Sequence, residues 1–482
     1  MPFGFAPFHL PGLAFLGIAI LFNILQKKSP KQGFYAGFTF GVGFLGLGVS
    51  WVFVSIYQYG HLNYLASGLI TLIFIIYLSL YIGLIAAIYC ALKKKCSSII
   101  NCLLFSALWC LGEFLRSIVL GGFPWLILGF AQIDTPIKNL LPILGTYGAS
   151  FFACLAAACL ATSLVSKSNK HILYLTLFVS IILAPILLTS VQWSKVDPLV
   201  KQVGIIQANL SMRDKWDEQL FWSVLKRYQQ GIEQLLAKDR IIVMPESAIP
   251  LPATYVSSFL SKLNKRAKKI GSAIILGIPQ STTPDETEYF NTMGTLGAAT
   301  GSYYKQHLVP FGEFIPQPFQ YFINWLSLPS SNMKAGTTNQ PLIQVQNHPI
   351  ASLICYELAY PQLLRQQLPS AEWIVSISDD GWFGQSFAMY QQLQIAQVLS
   401  MQTGRYQIVA NNDGLSSIID TKGNLVASLP AFQPGLLEAE LHPATGASLW
   451  IYLGDTPILL ICLFIVVWVY CKPERNIKKN KG

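Results

Sequence analysis

The chain has 482 residues, of which 52% are hydrophobic and only 12% charged, where soluble domains carry roughly a quarter charged residues. That composition excludes an ordinary soluble protein and points to an integral membrane protein. The formal net charge of +10 is largely accounted for by lysine clusters flanking apolar stretches, so basic flanks beside anionic lipid suffice and no nucleic-acid partner is implied.

Residues 1–26 contain no Asp, Glu, Lys or Arg, and neither does the stretch 32–92. A spanning helix needs about 20 apolar residues. Six spans are therefore predicted in a membrane domain over 1–195, at 8–25, 33–56, 66–92, 97–119, 140–166 and 172–193, the second and third parted by Tyr57-Gln-Tyr-Gly-His-Leu-Asn63. A seventh falls in 447–472, followed by a basic tail over 473–482. The first segment reads as a span and not a secretory leader, because no basic region opens it and no small-x-small site precedes Lys27. Basic clusters follow the first span (Lys27, Lys28, Lys31), the third (Lys93, Lys94, Lys95), the fifth (Lys167, Lys170) and the last (Lys472, Arg475, Lys478, Lys479, Lys481). They alternate onto one side, the cytoplasm, which leaves the loops near 57–63 and 120–138 and the whole of 196–446 outside.

Within 196–446 the texture changes. Short β-rich apolar runs (203–207, 241–244, 273–276, 351–354, 373–376, 407–410) alternate with amphipathic helical patterns at 217–237, 255–270 and 386–403. Near-continuous apolar strands between helices predict an α/β domain whose sheets are covered on their faces, and such sheets deliver functional residues at strand C-terminal ends. Three ends stand out. Ile241-Ile-Val-Met-Pro245 runs into Glu246; Gly301-Ser-Tyr-Tyr304 runs into Lys305; Ala351-Ser-Leu-Ile354 runs into Cys355, the only cysteine in 196–446. A carboxylate, an ammonium and a thiol form an acyl-transfer set: the first takes the thiol proton, the thiolate attacks a carbonyl, and the ammonium stabilises the oxyanion. Each also has a plainer reading, as a surface acid, a solvated lysine or a small buried hydrophobe, and spacing alone does not bring them together. A papain-like dyad of Cys355 with His307 is a further possibility, but it leaves Glu246 and Lys305 without roles.

Met244-Pro-Glu246-Ser, Lys305-Gln-His-Leu-Val-Pro-Phe-Gly-Glu313 and Ile354-Cys355-Tyr-Glu357 resemble the Glu-Lys-Cys signature of the nitrilase superfamily. With the spans, and with Ser50-Trp-Val-Phe-Val-Ser55, Glu113-Phe-Leu-Arg116, Gly122-Phe-Pro-Trp125, Lys215-Trp-Asp-Glu218 and Asp380-Gly-Trp-Phe-Gly384 in the same order, nearly the whole chain is similar to the bacterial apolipoprotein N-acyltransferases. The resemblance implies a multi-span α-helical membrane domain plus an extracytoplasmic nitrilase-like α-β-β-α sandwich, in the bacterial inner membrane with the catalytic domain on the periplasmic side. It implies ping-pong transfer of a phospholipid acyl chain, typically from phosphatidylethanolamine, through an S-acyl Cys355 to the α-amine of a diacylglyceryl-cysteine at an apolipoprotein N-terminus. Glu246 would be the general base and Lys305 the oxyanion stabiliser, with no cofactor and no metal. Glu313, Tyr356, Glu357, Trp216, Trp382 and Arg405 match supporting positions, near the site or on loops over it.

The sequence departs from the family's pattern in places. Asp379 stands where the family usually has Asn, adding a charge near the site; a family histidine is replaced within Gln391-Gln392, and an arginine six residues before Arg405 is Leu399. Seven spans are predicted where the family usually has eight. Two other readings remain open: a membrane-tethered nitrilase-type amidase that passes the acyl group to water, and a non-enzymatic lipoprotein-binding protein with a degenerate site.

Overall fold

The computed structural model describes residues 1–60, 62–166, 170–282, 288–315 and 333–473. Lys167 and the basic tail beyond residue 473, on which part of the orientation argument rests, lie outside the described residues. The chain divides into two units, Met1–Val191 with Leu453–Gly482, and Gln192–Tyr452.

The first unit is helical: α1 (Pro11–Leu25), α2 (Pro30–Gly48), α3 (Val52–Tyr59), α4 (Tyr64–Leu92), α5 (Ser98–Arg116), α6 (Leu141–Val165), α7 (Lys170–Leu183) and a C-terminal helix, Thr456–Cys471. Starts are set by local chemistry. Ser29 and Gln32 close a capping box around Pro30 at the head of α2, and the Asn63 side chain accepts from the Ala66 N–H at 2.9 Å to begin α4. Gly33, Gly37 and Gly41 form a small-residue stripe on α2, where an added Cβ would lie 2.6–3.0 Å from Cys90, Ala86 or Ser79 of α4; glycine lets the two helices approach backbone to backbone.

Among the described residues four helices are long and apolar enough to cross a bilayer: Tyr64–Leu92, Ser98–Arg116, Pro136–Val165 and Lys170–Leu188. A fifth crossing exists if α2 and α3, bent by 57° at Val49–Trp51, act as one. The chain is thus a multi-pass membrane protein. The predicted second span is broken at Ser50-Trp51, and α1 and the C-terminal helix, of 15 and 16 residues, rise only about 23–24 Å at 1.5 Å per residue. Glu113 accepts from the Trp109 indole (2.9 Å) and the Leu128 N–H (2.8 Å), while Arg116 donates to the Trp125 carbonyl at 2.6 Å.

The second unit is built on strands β1 (Lys195–Val196), β2 (Lys201–Gln207), β3 (Ile241–Val243), β4 (Ala273–Ser281), β5 (Tyr289–Gly297), β6 (Ala299–Thr300), β7 (Tyr303–Tyr304) and β8 (Met333–Lys334). β9 (Ile343–Val345), β10 (His348–Ile354), β11 (Trp373–Ser378), β12 (Gln407–Asn411), β13 (Ser417–Ile419), β14 (Leu425–Ser428), β15 (Gly435–Leu441) and β16 (Ala444–Thr445) follow. One sheet runs β15-β2-β3-β4-β5-β7, with β8 beside β5; the other runs β14-β13-β12-β11-β10-β9-β6. β2, β3 and β4 are parallel, as are β10, β11 and β12.

Side-chain alternation explains the layering. Val203, Ile205, Ile241, Val243 and Ile275 of the first sheet share one core with Ile350, Ile354, Val375, Ile377 and Ile408 of the second. Their neighbours Ile206, Ile242, Ile274 and Leu276 face outward onto Val224, Leu225 and Tyr228 of one helix (Phe221–Leu235) and Leu263 and Ala267 of another (Ser257–Lys269). A third helix, Ala388–Thr403, follows β11 and is almost wholly buried. The result is an α-β-β-α sandwich.

Candidate active site

β10 ends in the fully buried run Ala351–Ile354 and then turns sharply. Cys355 takes a left-handed φ of +52° and opens a 3-10 helix, Cys355–Ala359. Such a conformation is disfavoured for any residue with a Cβ and persists only where its surroundings impose it. Here Glu357 imposes it, accepting the Ile354 N–H at 2.8 Å. Cys355 is 7% exposed. Burial pushes its thiol well above the usual range; Glu246 adds to the shift and the Lys305 ammonium opposes it.

Glu246 is delivered by the Met244–Ser247 turn after β3. Gly277 of β4 makes room for that turn: a Cβ there would fall 2.4–2.6 Å from the Ser247 N, the Pro245 O and the Glu246 Cα. Lys305 follows β7, fully buried, its backbone N–H donating to the Asn291 carbonyl at 2.9 Å. Its ammonium lies 2.7 Å from Glu313 Oε1 and 3.4 Å from Glu246 Oε1. Asn291 Nδ2 donates to the same two oxygens, at 3.3 and 2.7 Å. Burial works to lower the lysine pKa, but Glu313, Glu246 and Cys355 together outweigh it and the ammonium is held charged. Glu313 Oε2 also accepts the Val309 N–H at 2.8 Å, which folds the 309–313 loop around the lysine.

Glu357 joins the two sheets. Besides the Ile354 N–H, its carboxylate accepts from the Tyr303 hydroxyl (3.0 Å) and the N–H groups of Gln306 (2.6 Å) and His307 (3.1 Å). It therefore fixes the lysine loop relative to the cysteine turn. Burial lifts it to about 7, against the downward pull of those N–H donors and Lys305.

Asp379, at the end of β11, does add a carboxylate beside the site, and the structure gives it a partner that the sequence did not reveal. Lys215, 1% exposed, ion-pairs with Asp379 Oδ2 and donates to the Glu246 carbonyl at 2.8 Å. The Asp379 N–H donates to Glu246 Oε2 at 3.1 Å. Next to it, Asp380 accepts from Asn411 Nδ2 at 2.6 Å and from the Gln392 amide, whose oxygen takes the Ser378 hydroxyl at 2.9 Å. Burial and then Asp413 hold Asp380 well above the usual carboxylate range; burial and then Asp379 lift Asp413 to about 7, with Lys215 opposing. Lys215, Asn291 and Asn411 were missed because their partners lie far away in sequence. The only signal for Lys215 was its place in Lys-Trp-Asp-Glu.

The remaining expected residues divide. Tyr356 is buried beside Cys355 and its hydroxyl accepts from that of Tyr360 at 3.2 Å. The His307 ring packs on Tyr360, 3.7 Å between centres. Trp216 and Trp382 are 46% and 40% exposed, neither of them a core aromatic. Arg405 is not brought to the site. It precedes β12, and since β10, β11 and β12 are parallel it sits at the opposite end of the sheet from Cys355. Fully buried, it donates to the carbonyls of Ala371 (2.8 Å), Pro369 (3.1 Å) and Gly446 (2.7 Å), as a clamp on three loops. Among the described residues no cluster of His, Cys, Asp and Glu is arranged to hold a metal ion.

The family described as the apolipoprotein N-acyltransferase N-terminal domain matches residues 1–159, and the carbon-nitrogen hydrolase family matches residues 202–449. An apolipoprotein N-acyltransferase of Coxiella burnetii is 35% identical over 96% of this chain and 97% of its own length. One from Methylococcus capsulatus is 34% identical over 100% of this chain and 96% of its own. Among solved structures, Saccharomyces cerevisiae Nit3, of the nitrilase superfamily, aligns with 51% of this chain and 90% of its own at 16% identity and a TM-score of 0.38. With relatives at this identity over almost its full length, the chain belongs to the apolipoprotein N-acyltransferase family.

Proposed function

We propose that the enzyme transfers an acyl chain from a phospholipid, phosphatidylethanolamine in the leading case, to the α-amine of a diacylglyceryl-cysteine at an apolipoprotein N-terminus, with Glu246, Lys305 and Cys355 as its catalytic set. The observation that carries this is the fully buried Lys305 ammonium, bound to Glu246 and Glu313, on a loop that Glu357 ties to the Cys355 turn. A thiol held protonated by burial needs a base, and Glu246 is that base. The Cys355 proton passes to Glu246, the sulfur forms a bond to the ester carbonyl carbon, and the oxyanion is balanced by Lys305. Collapse breaks the C–O bond; the lysophospholipid leaves with the proton from Glu246. In the second half the acceptor amine attacks the thioester carbon and its proton goes to Glu246. The C–S bond then breaks, and the thiolate recovers that proton.

The membrane domain (1–195), the catalytic domain (196–446) and the C-terminal helix (447–472) divide the work. Both substrates are lipids and arrive from the bilayer, with the catalytic domain on the periplasmic side of the inner membrane, a placement supported by the basic clusters on the opposite side. Glu313 and Glu357 hold the lysine and the cysteine turn, Tyr356 packs beside the nucleophile, and the exposed Trp216 and Trp382 offer apolar contacts to an incoming chain.

The test uses the full-length protein in phospholipid–detergent micelles with acyl-labelled phospholipid. Hydroxylamine-sensitive label is expected on wild type, absent from Cys355→Ala, and chased onto a diacylated lipopeptide. A wild type that never acquires label overturns the mechanism, and label lost only to water favours an amidase-like hydrolase.

A further inference from the structure

Lys215 ends a short helix, Met212–Lys215, and stands immediately before the exposed Trp216. Its ammonium has two partners, the Glu246 backbone carbonyl and the Asp379 carboxylate. Asp379 returns to Glu246 through its own N–H, which meets Oε2, and its second oxygen is fixed by Asn412 Nδ2 (3.2 Å) and the Gly381 N–H (3.3 Å). The contacts close a ring: ammonium on the Glu246 backbone, carboxylate on the ammonium, N–H on the Glu246 side chain. Oε1, the other oxygen, is left for Lys305 and Asn291. A buried ion pair is weak evidence of stabilisation, since desolvation offsets much of its attraction, and its best-attested use is to specify an arrangement.

We propose that the buried Lys215–Asp379 ion pair is a positioning device for Glu246, fixing its backbone through one bond and its carboxylate through another while cancelling the charge that Asp379 brings. The proposal rests on Glu246 being the proton acceptor of Cys355. Among the described residues, the other charged or titratable groups around Glu246 are Lys305, Glu313, Cys355 and Asp380, with Asp413 beyond Lys215, Tyr228 beyond Asp379 and Asp413, and Glu357 and Tyr303 beyond Lys305. Deleting either member of the pair changes the field on Glu246 with opposite sign, and Asp413, which Asp379 raises and Lys215 lowers, moves with it and offsets part of that change.

The experiment measures the rate of Cys355 thioester formation against pH, for the full-length protein in phospholipid–detergent micelles. Asp379→Asn keeps the backbone N–H but leaves the Lys215 charge uncompensated, so the midpoint of the acid limb is expected to fall by about one pH unit. Lys215→Met leaves the carboxylate uncompensated: the midpoint rises by about one unit and the rate at neutral pH falls at least about tenfold. The double variant K215M/D379N returns the midpoint to the wild-type value but not the rate, because the bond to the Glu246 carbonyl is gone. A pair that served only to hold the fold would change yield and melting temperature without displacing the two midpoints in opposite directions. Midpoints that stay put, or move the same way, overturn the proposal. If Lys215→Met does not accumulate, Asp379→Asn, which carries the residue usual in the family, decides alone: an unmoved midpoint overturns it. Glu246→Gln separates the two levels, because thioester formation at the wild-type rate in that variant refutes Glu246 as base, whatever the pair does.

Discussion

Replacing Glu357 by Gln tests how the nucleophile is presented. Four donors converge on this carboxylate, three on Oε1 and the Ile354 N–H on Oε2. A glutamine placed with its carbonyl toward the three donors must point its NH2 at the Ile354 N–H; turned the other way it loses three bonds to save one. The cheaper choice forfeits one hydrogen bond to a charged group, about 1.5–3 kcal/mol, and leaves a buried N–H unpaired at a further cost of about 1–3 kcal/mol. The total of about 2.5–6 kcal/mol falls on the residue before Cys355, and the left-handed backbone of Cys355 depends on that anchor. Relaxation of the kink shifts the sulfur, and a misplacement of about 1 Å can cost on the order of 10²-fold in rate. For a unit of this size the same loss lowers the melting temperature by roughly 10 °C. The expected result is thioester formation slowed on the order of a hundredfold in protein still folded at 25 °C, read with acyl-labelled phospholipid and hydroxylamine release. Thioester formation at the wild-type rate, with the expected drop in melting temperature, would refute the claim that Glu357 sets the geometry of Cys355.

The resting Cys355 thiol, held protonated by burial and by Glu246, should be alkylated by iodoacetamide more slowly at pH 7 than a free thiol, and Glu246→Gln should shift the alkylation midpoint down while abolishing acyl transfer; a low-pH alkylation plateau in wild type would contradict this. Arg405→Met strips three loop carbonyls of a buried donor and should cost about 3–5 kcal/mol of stability, with the thioester rate per folded molecule unchanged, measured by thermal unfolding alongside single-turnover acylation. Asp413, lifted to about 7 in the fold, keeps its proton longer folded than unfolded. Its contribution is therefore complete below about pH 4 and lost as pH rises through about 7, at up to about 1.4 kcal/mol per pH unit. Asp413→Asn should flatten the fall in melting temperature between pH 4 and 7, and an unchanged slope would exclude Asp413 as its source.

What could be read from the sequence was what local pattern controls. The runs at 203–207, 241–244 and 351–354 each fall on a strand, because apolar β-rich segments have few other ways to bury both faces. Glu246 and Cys355 could be picked out because each lies just past such a run, and Lys305 because it follows the short segment Gly301-Ser-Tyr-Tyr304. Hydropathy could not show the break at Ser50-Trp51, since averaging over a window hides a 57° bend between two apolar helices. Arg405 was misplaced for a topological reason: resemblance marks the position, but only the parallel order of β10, β11 and β12 tells which end of the sheet it occupies. Asn291 illustrates a different blind spot. A neutral amide that bridges Glu246 and Glu313 looks in sequence like any polar residue in an edge-exposed strand.

The departures at 379 and within Gln391-Gln392 make physical sense only in pairs. A carboxylate at 379, between Glu246 and Asp380, adds negative charge where Cys355 must lose a proton, and unpaired it would oppose ionisation of both the base and the nucleophile. Lys215 meets that charge directly, so the local sum near Glu246 is what an Asn at 379 beside an uncharged residue at 215 would give. Gln392 does for Asp380 what a ring N–H could do, donating to its carboxylate while accepting from Ser378; the amide adds no charge to a cluster where Asp380 is already driven toward its neutral form. Tolerance at each position therefore depends on the other residue of its pair. Asp379 is tolerable because Lys215 is within reach, and the same aspartate opposite a methionine at 215 would leave the base facing an uncompensated anion.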